Sequence, residues 1–295
     1  MAEKQYNDTG HPTSTKWGHK LNSHGGNYWD TSGWSYNGYG LMHCWDPMNP
    51  KCYGGANTDN TVIKDAMGTT NSLILSDGAT CNGKTIYLSG GGNPDGDPAG
   101  QHLTLVNAIS TLDYTGAGST GTGMTWDFWF KTISANRMRL VHGASGTLDF
   151  IELSSGNSNS AYVIAESSTN NHHVNSTTIT DGQGNNGITA GEWNNLTIGF
   201  GSDSPRRIYY YYNGHLFHTD NDGLNDGGGG TSEKMTITKI GRSGGTPSYQ
   251  YGYSFAGHIG FIGIYNRLIG STAVERNFNC MRKRYEGLKE NEEGL

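Results

Sequence analysis

Short apolar runs with polar residues at alternate positions recur along most of the chain, separated by clusters of glycine, asparagine, aspartate and serine. This pattern predicts strands over 73–78 (LILSDG), 84–90 (KTIYLSG), 102–107 (HLTLVN) and 124–132 (MTWDFWFKT). Further strands are predicted over 137–143, 147–155, 160–168, 175–180, 193–201, 207–219 and 234–242. In 124–132, Trp126, Phe128 and Phe130 alternate with Asp127, Trp129 and Lys131. Asn213-Gly214, flanked by apolar strands, predicts a two-residue hairpin. The stretch AGHIGFIGIYNRLIGSTAVERNF, 256–278, places Ile259, Phe261 and Tyr265 on one face at period two, with Ile262 and Ile264 on the other. A strand apolar on both faces is expected in the interior, covered on both sides. Gly257, Gly260 and Gly263 either leave room for a neighbouring layer or mark bulges. Ser271 or Thr272 then caps a short helix, with Glu275 three or four residues later. Roughly a dozen strands with turns every ~8–12 residues indicate a sandwich or barrel.

Composition agrees with many tight turns: 46 glycines against 7 prolines, and no long amphipathic helix. A length of 295 residues approaches the limit for one hydrophobic core, so one main domain with terminal extensions is expected. The net charge of −6 and a single basic cluster (Arg282, Lys283, Arg284) argue against nucleic-acid binding. No apolar run approaches the roughly 18 residues of a membrane span, and the N-terminus shows no apolar signal region. Cys44, Cys52, Cys81 and Cys280 form no C-x-x-C pair, so free thiols in a reducing cytoplasm are expected and structural zinc is not. Residues 1–38 are polar and carry Trp17, Trp29 and Trp34; such an arm docks on a partner or on its own domain. The glycine-rich stretch 220–233 is a binding loop or a slack linker.

Four segments occur in a telling order: GEWNNLTIGF with Trp193, IYYYYNGHLF, ITKIGRS, and the closing FAGHIGFIGIYNRLIGSTAVERNF. In that order they resemble the concanavalin A-like jelly-roll family, specifically its laminin-G and pentraxin-like branch. GLMHCWDPMNPKCYGG (40–55) and NFNCMRKRYEGL (277–288) further resemble the opening and closing segments of such domains in structural proteins of marine and cyanobacterial tailed phages. Cys44 and Cys52 depart from that pattern, as does the arm before residue 38. The resemblance implies an all-β fold, a concanavalin A-like β-sandwich of two antiparallel sheets. An extended arm would occupy 1–38, the sandwich 39–288 with a short C-terminal helix, and a polar tail 289–295.

The candidate chemistry is that of contact. Jelly-roll β-glucanases carry paired carboxylates on an inward strand; here TLDFIE offers Thr147, Asp149 and Glu152. Thr147 stands where the nucleophile would be, and Asp149 and Glu152 are an odd number apart, so a regular strand points them to opposite faces. Two edge charges are the preferred reading over a glycoside hydrolase. No cofactor is required; calcium is the candidate ion, through Asp220, Asn221, Asp222 and Asp226, or through Asp95 and Asp97, although ordinary solvated turns have the same composition. His172-His173 and His215/His218 are expected as surface histidines. For carbohydrate, or equally for contact between subunits, the candidates are Trp129, Tyr210, Tyr212 and the set Tyr249, Tyr251 and Tyr253, which shares one face beside a turn. Weak single sites gain about 10²–10⁴ in avidity when many copies bind together.

The expected protein is therefore a non-enzymatic virion structural protein, a capsid decoration or a tail-fibre appendage, assembled in host cytoplasm. Its expected partners are other virion proteins, copies of itself and host-surface glycans. A free carbohydrate-binding module is the alternative.

Overall fold

The computed structural model describes residues 28–29, 35–36, 40–49, 51–53, 61–90, 100–110, 123–133, 138–143, 150–155, 161–166, 188, 190–201, 207–220, 236–242, 254–286 and 288. Among them are seventeen strands and one helix. The first strands are β1 (Tyr28–Trp29), β2 (Ser35–Tyr36), β3 (Leu41–Trp45), β4 (Val62–Ile63), β5 (Leu73–Ser76), β6 (Thr80–Cys81) and β7 (Ile86–Ser89). The middle of the chain supplies β8 (His102–Ser110), β9 (Met124–Thr132), β10 (Met138–Gly143), β11 (Phe150–Ser155) and β12 (Ala161–Glu166). Then follow β13 (Trp193–Phe200), β14 (Ile208–Tyr212), β15 (His215–Asp220), β16 (Thr236–Ile240), β17 (Ala256–Tyr265) and helix α1 (Ser271–Glu286).

Two large sheets form the fold, a jelly-roll-like β-sandwich. One runs β12-β11-β10-β16-β8-β5-β4 and the other β15-β14-β13-β9-β17-β7-β6, with neighbouring strands antiparallel. β17 is central: β9 lines one edge over most of its length, while β7 and then β3 share the other edge. Most strands expected from the pattern are present. β1, β2, β3, β4 and β6 were not expected; all but β3 are two residues each, too short for a period to show. The strand expected over 175–180 lies outside the described residues. The Asn213-Gly214 hairpin is present, with φ of 46° and 83°, the paired positive values of a type I′ turn.

Register assigns the two faces of the eight-stranded sheet. Trp126, Phe128 and Phe130 stand level with Ile198, Leu196 and Asn194 on β13 and with Ile264, Ile262 and Ile259 on β17. Tyr212, Tyr210 and Ile208 extend the same row on β14. This face looks into the sandwich and is almost wholly buried. The opposite face carries Thr125, Asp127 and Trp129 beside Tyr265, Gly263 and Phe261. The expectation that Ile259 shares a face with Phe261 is corrected here. A register shift between them makes Gly260 a bulge, so Ile259 turns inward and Phe261 outward.

Helix α1 covers the outward face. Val274, Asn277, Met281 and Tyr285 recur at helical spacing and are buried, while Ser271, Thr272, Glu275 and Arg276 are exposed. Gly260 lets the helix approach, because a Cβ there would lie 2.3 Å from the Tyr285 ring. The cap falls on Gly270, whose carbonyl accepts from Val274 N at 3.0 Å, rather than on Ser271 or Thr272. The β1–β2 hairpin lies beside α1 through β2, so this part of the arm rests on its own domain.

Candidate recognition surface

Closure of the outward face by α1 decides which aromatic residues can meet a ligand. Trp129 is 1% exposed; it stacks on Phe278 (5.5 Å between ring centroids, 8° between planes) and on Tyr285 (4.8 Å, 20°). Trp193 packs on the same Tyr285 ring at 4.5 Å. Tyr210 and Tyr212 face the sandwich interior and are buried, with the Tyr212 hydroxyl donating to Asn194 Oδ1. The expectation that Trp129, Tyr210 and Tyr212 form a contact surface is therefore corrected. Alternation along β14 does split the tyrosines between faces, but the inward pair belongs to the sandwich core and the helix occupies the ground over Trp129.

The same outward face continues past the helix toward β7 and β6, and there it is open. Tyr87 pairs with His258, and His258 with Lys131, so their side chains share this face. Thr80 lies across from Tyr87 on β6. Together with Thr85, Asn82 and Ile133 they line a cleft of about 590 Å³. The Tyr87 and His258 rings meet at 5.0 Å and 47°. Thr85 Oγ1 is 3.1 Å from His258 Nδ1, which fixes the imidazole from the strand side. Asn82 Oδ1 accepts from Lys84 N and Thr85 N, an Asx turn that orients the amide at the rim. Ile133 is 50% exposed, an apolar wall in contact with water. An aromatic floor, a fixed imidazole, hydroxyls and an amide form a surface for a ligand with one apolar face and several hydroxyls. The described lining residues include no carboxylate.

Two further polar clusters fix the framework. Asp65 is buried and accepts from Cys44 N (2.9 Å), Met67 N (3.0 Å) and the Thr69 hydroxyl, with His43 Nδ1 at 2.7 Å. It ties β3 to the turn after β4. Arg284 of α1 reaches Asp46, just after β3, with two hydrogen bonds of 2.9 and 2.5 Å, and donates from Nε to Met48 Sδ. Cys44, Cys52, Cys81 and Cys280 carry free thiols. Burial pushes Cys44 and Cys52 well up from the ordinary thiol range, which keeps both protonated.

On the outer face of the seven-stranded sheet, Glu152 pairs by register with Arg139; Thr147 and Asp149 lie outside the described residues. Beside Arg139 stands His142, wholly buried, its Nδ1 donating to Gly143 O at 2.9 Å. Burial, with Arg139, Lys239 and Arg242 nearby, holds its pKa down to about 4 from an ordinary 6.5. Between those values the unfolded chain binds a proton that the folded chain refuses, so stability present above pH 6.5 is lost as pH falls toward 4. Denaturant unfolding at pH 7 and pH 4 should show this group removing about 3 kcal/mol. His142→Gln should flatten the slope by that amount, and an unchanged slope would show that the imidazole protonates freely in the folded state.

Tyr249, Tyr251, Tyr253, Trp17, Trp34, Asn221, Asp222, Asp226, Asp95, Asp97, His172 and His173 lie outside the described residues. Trp29 belongs to β1, and Asp220 ends β15. His215 is exposed and His218 half-buried, as surface histidines. Among the described residues no three His, Cys, Asp or Glu side chains gather as a metal site, and no helix is long and apolar enough to cross a membrane. The sequence reading missed the Tyr87–His258 cleft, since its two halves are 171 positions apart and only the β7–β17 pairing joins them.

No family model and no curated protein matches this chain. Solved structures do. The botulinum neurotoxin serotype D/C VPI 5993 binding domain aligns with 81% of the chain at 14% identity and a TM-score of 0.52. The botulinum neurotoxin serotype D binding domain aligns with 81% at 14% identity and a TM-score of 0.51. The chain spans about half the length of each, 52% and 51%. At such identity the likeness is one of fold, the jelly-roll-like β-sandwich described above.

Proposed function

We propose that this protein is a non-enzymatic recognition module of a tailed-phage particle, a lectin-like sandwich that contacts host-surface glycan. The observation that carries the binding role is the open cleft on the outward face. Tyr87 and Ile133 offer apolar surface to the face of a sugar ring, and His258, Thr85 and Asn82 offer hydrogen bonds to its hydroxyls. The virion role is supported by the resemblance of the segments 40–55 and 277–288 to phage structural proteins. In the fold these segments lie together, joined by the Asp46–Arg284 pair. Assembly in the host cytoplasm accords with the free thiols. Tyr249, Tyr251 and Tyr253, between β16 and β17 in the sequence, remain a second candidate edge for glycan or subunit contact.

A glycan array followed by calorimetry tests the binding role. Tyr87→Ala should weaken the best array ligand about tenfold or more, roughly 1.4 kcal/mol, with the melting transition retained. A folded Tyr87→Ala protein that binds as well as the native one would rule the cleft out. Mass spectrometry of purified particles tests the virion role, and absence of the chain from particles would end it.

A further inference from the structure

The outer face of the seven-stranded sheet gathers basic side chains that the Tyr87 cleft does not use. Register sets them in a row: His142 on β10 pairs with Lys239 on β16, and Lys239 with Thr104 on β8. His102, two residues before Thr104, pairs with Ser76 on β5. Arg242, two residues past β16, brings Nη1 to 3.5 Å from His102 Nε2. His102 Nδ1 is 3.1 Å from Asp77 Oδ2 and 3.0 Å from Gly100 O. With Nδ1 donating, His102 Nε2 is left to accept from the guanidinium.

This row is electrically unbalanced. Lys239 makes no ion pair among the described residues. Arg242 Nε and His142 Nε2 are buried with no hydrogen-bond partner there. Among the described side chains the carboxylate at the row is that of Asp77, 44% exposed, at one end; Glu152 is placed by backbone register opposite Arg139, two strands from Lys239. Burial, with Arg242 adding to it, holds the Lys239 ammonium below its ordinary range. A buried donor without an acceptor, as at Arg242 Nε, and crowded like charges are both destabilising unless something supplies the missing oxygen. Lys239 and Arg242 are only half-buried and reach water.

We propose that this patch binds a single oxyanion, the sulfate or carboxylate of an acidic glycan, between the Lys239 ammonium and the Arg242 guanidinium. His142, wholly buried with its proton on Nδ1, lies beneath Lys239 in the register and reports on the charge held there. A lone oxyanion suits the patch better than a polyphosphate, because the chain as a whole carries −6. The patch lies on the sheet opposite the Tyr87 cleft and does not depend on it.

Calorimetry with a sulfated hexasaccharide, an oligogalacturonate and a neutral dextran oligosaccharide of equal length tests this. At least one acidic ligand should bind more tightly than the neutral one, and which one binds identifies sulfate or carboxylate as the group held. Lys239→Gln/Arg242→Gln should reduce that affinity tenfold or more, whereas Tyr87→Ala should leave it intact. In the unaltered protein, inorganic sulfate should shift the imidazole resonances of His102 and His142, a readout that needs no variant to fold. Equal binding of acidic and neutral ligands, a folded double variant that binds as before, or unmoved imidazole resonances would each overturn the proposal.

Discussion

Arg284→Ala should lower the free energy of unfolding by about 3–5 kcal/mol, the range seen when one member of a buried pair is removed. Asp46 has no exposed surface, and the Arg284 side chain is 2% exposed. Truncating the guanidinium leaves the carboxylate in the interior with its hydrogen bond from Met48 N but without the Arg284 charge. The loss should appear in chemical denaturation as a lower midpoint, with an unchanged slope if the two-state transition persists. Asp46→Asn/Arg284→Met should recover most of it, since a buried ion pair replaced by groups of similar volume is often neutral or better. A loss under about 1 kcal/mol for Arg284→Ala would mean that solvent reaches the pair, in the range of surface bridges.

Trp129→Ala should cost about 3–5 kcal/mol as well, by a different route. The indole fills the space between sheet and helix and stacks on both Phe278 and Tyr285. Its removal leaves a cavity that the sheet below cannot close, so α1 should lose its seat before the sandwich does. Hydrogen exchange should then show faster exchange in 271–286 than in the β9–β13–β17 strands. Trp129→Phe should be mild by comparison, because Trp129 Nε1 has no hydrogen-bond partner among the described residues. Uniform exchange across helix and strands would show that helix and sandwich unfold as one unit.

The fold was legible in the sequence wherever period two ran long enough. β9, β13 and β17 are eight to ten residues each; β9 and β13 were placed within a residue of their ends, and β17 was read as the first part of 256–278 without a stated end. The Asn213-Gly214 turn was legible because few residue pairs accept positive φ twice in succession. β17 was correctly read as apolar on both faces, yet Ile259 was assigned to the wrong one. One extra residue at Gly260 exchanges inward for outward, and glycine marks that place without saying whether it makes room or makes a bulge. Here it does both, by shifting the register and by admitting Tyr285. The site was less legible. Trp129, Tyr210 and Tyr212 have the composition of a binding surface, but composition does not say that a helix from the end of the chain covers one and that the sandwich encloses the others. Tyr87 and His258 gave no local signal, and neither did the Lys239–Arg242 row, because each is assembled by pairing between distant strands.

On the outward face, past the end of α1, the Tyr87–His258 cleft is where this protein is expected to meet its ligand. Chemical-shift mapping of the isotope-labelled protein with its best array ligand tests that claim directly. The prediction is that Thr85, Tyr87, Ile133 and His258 shift together while the α1 residues against Trp129 stay in place. Shifts confined to the helix, or to residues away from the cleft, would contradict it.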